Sequence, residues 1–172
     1  QRMLYRLNLE QVLEINHEVF ACTMKEKPES DEILQQIPQI IIDRIFKSVD
    51  ALRPVKALSL AVYNDNTHQF NIAFRQIAEM DRTRLENQMH QCFEEKKSII
   101  SPDKEYVCYP LMVEVGDSSH CIGALGISLN SHAEEGDSLL CQLIARYISI
   151  AVFNTMVRMR RSLLEIDEAQ ND

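Results

Sequence analysis

Glycine is scarce in this chain, and its placement excludes one class of chemistry. Only four glycines occur among 172 residues, and none belongs to a glycine-rich loop that leads directly into a helix. Loops that hold nucleotide phosphates need that arrangement, because backbone N–H groups at a helix start bind the phosphate. We therefore expect no nucleotide hydrolysis, and the sequence specifies no cofactor.

Pairs of cysteines at metal-ligand spacing are also missing. The five cysteines include no C-x-x-C pair, and the five histidines are scattered through the chain. Zinc sites use such closely spaced pairs. The sequence thus predicts no metal site, and the odd number of cysteines indicates a reducing, cytoplasmic location.

Neither long apolar runs nor an excess of positive charge is present. The longest uncharged apolar stretches, such as residues 37–42 and 148–153, are too short to cross a bilayer, so no membrane insertion is expected. The net charge is −8. Because nucleic-acid affinity depends on lysine and arginine neutralising phosphates, we expect no nucleic-acid partner.

Apolar residues do recur at helical spacing in four segments. The second segment is preceded by Ser30, a good N-cap, and contains Pro38 as its one irregularity. The predicted helices cover residues 3–24, 31–53, 78–96 and 133–169.

Four strands lie between these helices and form two predicted hairpins. They cover residues 57–63, 68–75, 106–115 and 121–129. Apolar or small residues alternate on both sides of the first and last strands, so both faces of the sheet need a cover. In the last strand, one side carries Cys121, Leu125, Ile127 and Leu129, and the other carries Ile122, Ala124, Gly126 and Ser128.

The fold class predicted from this order is α/β in the broad sense, an α+β arrangement of one antiparallel sheet flanked by helices. Helices are the available covers for two apolar faces. We expect the first two helices and the last helix on one face, and the helix over 78–96 on the other.

Several segments resemble the GAF family of domains. They are the leading helix at 9–20, YPLMV at 109–113, IGALGIS at 122–128 and LIARYISIAVFN at 143–154. In that family a Pro-Leu strand, a turn, a glycine-containing strand and a long helix follow in this order. The resemblance covers nearly the whole chain and implies one GAF-like domain over 1–172.

Within that domain the resemblance implies N-terminal helices over 1–50, a sheet with an intervening helix over 56–130, and a C-terminal signalling helix over 133–172. It further implies a cytoplasmic sensory or regulatory domain with no catalytic residues, controlling an output domain beyond its C-terminus in a larger signalling protein. The cyclic-nucleotide signature of the family and a bilin-attaching Cys-His pair are absent. Neither ligand is therefore expected.

A small-molecule ligand would contact polar side chains on otherwise apolar strands. The candidates are Ser59, Tyr63, Cys108 and Ser128, together with His120 at a strand entrance. The alternative is that small residues at these positions let a helix approach the sheet closely.

The last helix carries a stripe of coiled-coil type, which predicts a parallel homodimer formed through the terminal helices. Its members are Leu140, Leu143, Tyr147, Ile150, Asn154, Val157 and Leu164. A second stripe, beginning with Ile144 and Ile148, would pack on the sheet. The alternative is that the first helix of the same chain covers both stripes.

Two other functions remain open at this point. One is a purely structural dimerisation module. The other is a cysteine-based redox enzyme, similar to GAF-like proteins that reduce free methionine sulfoxide, in which Cys108 and Cys121 on adjacent strands would form a bridge or supply a reactive thiol.

Overall fold

Four helices and five strands make up the part of the chain that the computed structural model describes. It describes the backbone of residues 2–25, 31–131 and 134–171 and the side chains of residues 9–25, 32–131, 134 and 136–160. In chain order the elements are α1 (Arg2–Met24), α2 (Asp31–Leu52), β1 (Val55–Asn64), β2 (Gln69–Arg75), α3 (Glu79–Glu95), β3 (Ile99–Ile100), β4 (Tyr106–Val115), β5 (Ser118–Leu129) and α4 (Glu135–Asn171).

The strands form one antiparallel sheet in the order β2-β1-β5-β4-β3. The four predicted strands are confirmed. The short strand β3 was not predicted, because two residues are too few for an alternation pattern; Ile99 and Ile100 pair with Cys108 and Val107. The sheet is therefore extended at one edge by only two residues.

Helices cover both faces of the sheet, as predicted. On one face, α2 and α4 bury the larger core, which includes Ile41, Ile45, Leu60, Leu125 and Ile148. On the other face, α3 packs against β4 and β5 over a smaller core. α1 differs from the prediction, since it packs mainly on α2 and α4 and forms an outer layer.

Pro38 lies inside α2 without ending the helix. A proline has no N–H, so the carbonyl oxygen of Leu34, four residues earlier, loses its helical donor. The side chain of Asn71 on β2 supplies a replacement, donating from Nδ2 to that oxygen at 3.4 Å. The irregularity is thereby compensated by the neighbouring strand.

A β-bulge changes which side chains of β5 face which helix. Leu111 pairs with Gly123, but the next residue, Met112, pairs with Cys121, so Ile122 is an extra residue. Ile122 packs against the larger core. The predicted grouping of Cys121 with Leu125 is therefore wrong, because the bulge reverses the alternation and turns Cys121 toward α3.

The same register rules out a bridge between Cys108 and Cys121. Their strands are adjacent, as predicted, but Cys108 is opposite Gly126 and Cys121 is opposite Met112. Four residues along a strand span about 13 Å, whereas a disulfide needs Cα atoms within about 7 Å. The bridge that the sequence left open is therefore ruled out, and Cys108 and Cys121 are free thiols.

Among the described residues, one helical segment is long and apolar enough to cross a membrane by length and composition alone. It covers Gly136–Arg160 and has a mean hydropathy of 1.4. A search of the sequence for uninterrupted apolar runs does not find this segment, because isolated charges such as Arg146 divide it into shorter stretches. In the structure 44% of this segment is buried, with Ile144, Ile148 and Val152 in the larger core, so packing within the chain accounts for part of its hydropathy.

Candidate functional site

The face of the sheet beneath α3 is closely packed. Leu85, Met89 and Cys92 are buried there, and the sheet offers them small residues. A Cβ added at Gly126 would overlap Ser59 Oγ and come within 3.5 Å of Met89 Sδ. Side chains therefore fill the space between the middle of this face and the helix.

Four of the five predicted ligand residues lie on this face. Ser59 and Cys108 are fully buried, and Ser59 Oγ donates to Met89 Sδ at 3.3 Å. Ser128 is buried opposite Tyr106 on β4, and Tyr63 lies at the edge of the layer. The structure brings these four to one face, where three of them pack beneath α3.

His120 does not join them. It is exposed on β5 and pairs with Val113, on the far side of the bulge from Ser128. Because the bulge reverses the alternation, its side chain leaves the sheet toward the α4 side. His120 therefore lies apart from any site under α3.

An open groove lies at the edge of this layer, between the β1–β2 hairpin and α3. We call it the aromatic groove; its volume is about 760 Å³, and it is lined by Tyr63, His68, Gln69, Phe70, Ile72, Glu86, His90, Phe93 and Glu94. Tyr63 is the only predicted ligand residue in this lining.

Three half-buried rings form the floor of the aromatic groove. The ring centroids of Tyr63, Phe70 and Phe93 are 4.8 to 5.1 Å apart and the rings are inclined to one another. The His90 ring lies 4.4 Å from that of Phe70, and Tyr63 Oη is 3.3 Å from His68 Nδ1. These contacts are within the range of favourable aromatic pairs.

Sequence reasoning missed most of this groove, although two signals pointed to it. Tyr63 and Phe70 flank the predicted turn and are direct cross-strand partners. Glu86, His90 and Glu94 recur every four residues, which places them on one side of α3. What the sequence did not indicate was that α3 lies against this hairpin.

The thiols on the α3 side have raised pKa values. Burial raises the pKa of Cys92 to about 12, with a further contribution from Cys121. Burial also raises the pKa of Cys108, which is fully buried, and that of Cys121, which is half-buried. Because the thiolate is the nucleophile, all three are weak nucleophiles at neutral pH.

A second surface of interest lies on the opposite side of the molecule, where α1 and α4 run side by side in the same direction. Leu9 lines a cavity with Leu139 and Leu143 near the start of α4. Thr23, at the other end of α1, accepts a 2.9 Å hydrogen bond at its carbonyl oxygen from Arg158 Nη2. The two helices are therefore parallel neighbours.

Both helices leave apolar side chains exposed along this side. We call this set the paired-helix surface; it consists of the exposed Leu9, Leu13, Phe20 and Met24 of α1 and Leu139 and Ile150 of α4, together with the half-buried Leu143 and Val157 of α4. The four α1 residues are spaced four, seven and four apart, and so share one face of the helix.

The predicted dimer stripe overlaps the α4 half of this surface. Leu143, Tyr147 and Val157 are half-buried, and Ile150 and Asn154 are exposed. Leu140 packs against the larger core, and the side chain of Leu164 lies outside the described residues. The second stripe faces inward, where Ile144, Ile148, Ala151 and Met159 are buried.

Among the residues that the structure describes, no group of three or more His, Cys, Asp or Glu side chains is placed to hold a metal ion. The carboxylates of the aromatic groove are thus not part of such a group.

No family model and no curated protein matches the sequence. Among solved structures, the chain is similar to the crystal structure of the GAF domain from Acinetobacter phosphoenolpyruvate-protein phosphotransferase. That match has a TM-score of 0.58 at 9% sequence identity, and covers 88% of this chain and 96% of that one. At such low identity the likeness shows the fold alone, and the fold is GAF-like.

Proposed function

We propose that this GAF-like chain is a regulatory domain of a larger cytoplasmic signalling protein, that it forms a homodimer, and that α4 relays changes to an output domain. On this proposal residues 1–172 act as one domain. The observation that carries the proposal is the paired-helix surface, because it places exposed apolar stripes on two adjacent, parallel helices.

Such a surface is costly to leave in water. Leu13 is 52% exposed, Phe20 47% and Ile150 48%. Contiguous exposed apolar residues usually mark interaction sites, and burying one large apolar side chain contributes about 1.5–3 kcal/mol. A second copy would place its own α1 and α4 against these residues and form a four-helix bundle.

The alternative that α1 covers both stripes of α4 fits the structure less well. α1 does pack on α4, but Ile150 and Leu139 stay exposed beside it. α1 also adds apolar residues of its own to the exposed surface. A partner chain therefore explains more of these positions than a cover within the chain does.

Sedimentation velocity over a range of concentrations tests the dimer. Leu13→Glu and Ile150→Glu should each raise the dimer dissociation constant at least about 100-fold, because an unpaired charge would be buried at the interface. Met80→Glu is the matched control, since Met80 is 86% exposed on α3, across the sheet. A wild-type chain that stays monomeric at all concentrations would contradict the proposal.

A cysteine-based redox enzyme is less well supported. Burial raises the pKa of the Cys92, Cys108 and Cys121 thiols above the ordinary value, so even less nucleophilic thiolate forms at neutral pH than in a free cysteine. Cys108 and Cys121 are also too far apart along their strands to exchange a disulfide. We therefore propose that the chain is not an enzyme.

Small-molecule sensing is a second candidate function, favoured by the aromatic groove. The interior of the α3 face is occupied by Leu85, Met89 and Cys92, so a ligand there would have to displace core side chains. The groove at the edge of that face is open without such a displacement. A ligand in it would contact both the hairpin and α3.

A further inference from the structure

We infer that the aromatic groove binds a small organic cation whose charge lies on an alkylated nitrogen. This inference deepens the sensing role proposed above and rests on it for its biological meaning. The binding chemistry itself follows from the residues of the groove.

The rings provide a surface that attracts a cation. The negative faces of aromatic rings attract alkylammonium groups within about 6 Å of the ring centroid. With centroids about 5 Å apart, Tyr63, Phe70 and Phe93 touch one another and leave no gap between them. The cation would therefore lie on the open side of the cluster, within reach of more than one ring.

The carboxylates of the groove supply charge complementarity. Glu86 and Glu94 lie one turn of α3 before and after His90, on the side that lines the groove. No ion pair is formed by either carboxylate within the described residues, whereas neighbouring acids such as Asp81 and Glu95 do form them. Two carboxylates beside aromatic rings favour a positive ligand over a neutral one or an anion.

The same features favour an alkylated nitrogen over a primary ammonium group. A primary ammonium is strongly hydrated and needs several acceptors at once to replace that hydration. An alkylated nitrogen can instead rest its methyl groups on the rings and on Ile72, while the polar residues of the lining, such as Gln69, Glu86 and Glu94, stay hydrated. Methyl groups spread the charge and bury apolar area against the rings. The ligand class is therefore a quaternary or tertiary alkylammonium with a short polar arm.

Choline and its neutral isostere, 3,3-dimethylbutan-1-ol, test this directly. Titration of the full chain, followed by NMR shifts of the His90 and Phe93 ring protons, should give a dissociation constant at least about 10-fold lower for choline. Equal affinity for the two probes, or no shift with choline at millimolar concentration, would overturn the inference. Tighter binding of a lysine-containing peptide than of choline would also overturn it.

Substitutions identify the groups responsible. Glu86→Gln and Glu94→Gln should each weaken choline binding about 3- to 10-fold, as expected for loss of one charge beside a partly exposed cation. Glu79→Gln removes the same charge from the first turn of α3 and should leave binding unchanged. Phe93→Leu should weaken binding of choline more than binding of the isostere.

The choline titration is repeated on Ile150→Glu, so that the two proposals can fail separately. Ile150 lies on α4, across the sheet from the groove. Unchanged choline affinity in this variant upholds the site whatever the association state. If this variant loses choline affinity while its NMR spectrum shows an intact fold, the inference that the groove binds choline independently of dimer formation is overturned.

Discussion

Arg53 and Asp137 form an ion pair that joins the end of α2 to the first turn of α4, with Arg53 Nε 2.9 Å from Asp137 Oδ1. Both side chains are mostly buried. Arg53 Nη2 also donates to Ser131 Oγ at 3.0 Å, and Asp137 Oδ2 accepts from the Glu134 backbone N–H at 2.8 Å. This pair fixes where α4 begins relative to the sheet.

Replacing Arg53 by methionine should lower the free energy of unfolding by about 2–4 kcal/mol. Methionine keeps an apolar stem, but the Asp137 carboxylate would lose its cation while still largely buried. Urea unfolding followed by circular dichroism measures the change. Lys56→Met is the control, because the Lys56–Glu105 pair is exposed and 4.0 Å long, and it should cost less than about 1 kcal/mol.

Gly123, at the bulge in β5, should tolerate no side chain. A Cβ there would overlap the backbone carbonyl oxygen of Ala61 and approach Leu111 to 3.1 Å. Because backbone of a central strand cannot move aside cheaply, Gly123→Ala should lower the free energy of unfolding by more than about 3 kcal/mol.

Gly136→Ala is the matched control for that substitution. Among the described residues, no atom outside the adjoining backbone lies within 4 Å of a Cβ at Gly136, which is in the first turn of α4. Alanine has the better helix propensity, so this variant should be as stable as the wild type or more stable by about 0.5 kcal/mol. Equal losses at the two positions would contradict the bulge geometry.

Stability should fall at high pH because of the buried thiols. Burial raises the pKa of Cys92 and of Cys141 from 9.0 to about 12. Above pH 9 the unfolded chain loses these protons while the folded chain keeps them, so the contribution of the two thiols to stability is constant below pH 9 and falls between pH 9 and 12. Each thiol contributes up to about 1.4 kcal/mol per pH unit.

Urea unfolding at pH 8 and pH 10.5 measures this slope. Cys141→Ala should be less stable at pH 8 but lose less stability between the two pH values than the wild type. Ile144→Val also truncates a buried residue of α4, yet it removes no thiol and should keep the wild-type slope. Identical slopes in all three proteins would show that Cys141 does not contribute.

Alternating and helical periodicities were sufficient to predict four helices, four strands and a sheet covered on both faces. They could not predict the bulge at Ile122, because both faces of β5 carry apolar or small residues. The sequence pattern therefore looks the same whether or not an extra residue exchanges the two faces. Cys108 and Cys121 illustrate the consequence. Their strands were correctly predicted to be adjacent, but register depends on the hairpin turn and on the extra residue.

The aromatic groove was harder to predict than the fold. Its rings come from β1, β2 and α3, and the distance between Tyr63 and Phe93 in sequence gives no sign that they touch. Ser59, by contrast, looked like a pocket residue but lies beneath Met89. Polarity within a strand marks a ligand site only when the covering helix leaves a space, which depends on packing.

The brevity of β3 bears on solubility. Beyond Cys108, β4 has a described neighbour on one side only, so its backbone from Tyr109 to Val115 borders an open edge where another molecule's strand could add. Pro110 lies in that stretch and has no N–H to offer an incoming strand, and such prolines limit edge-to-edge aggregation. Pro110 thereby disfavours the addition of strands from other molecules to this largely apolar edge.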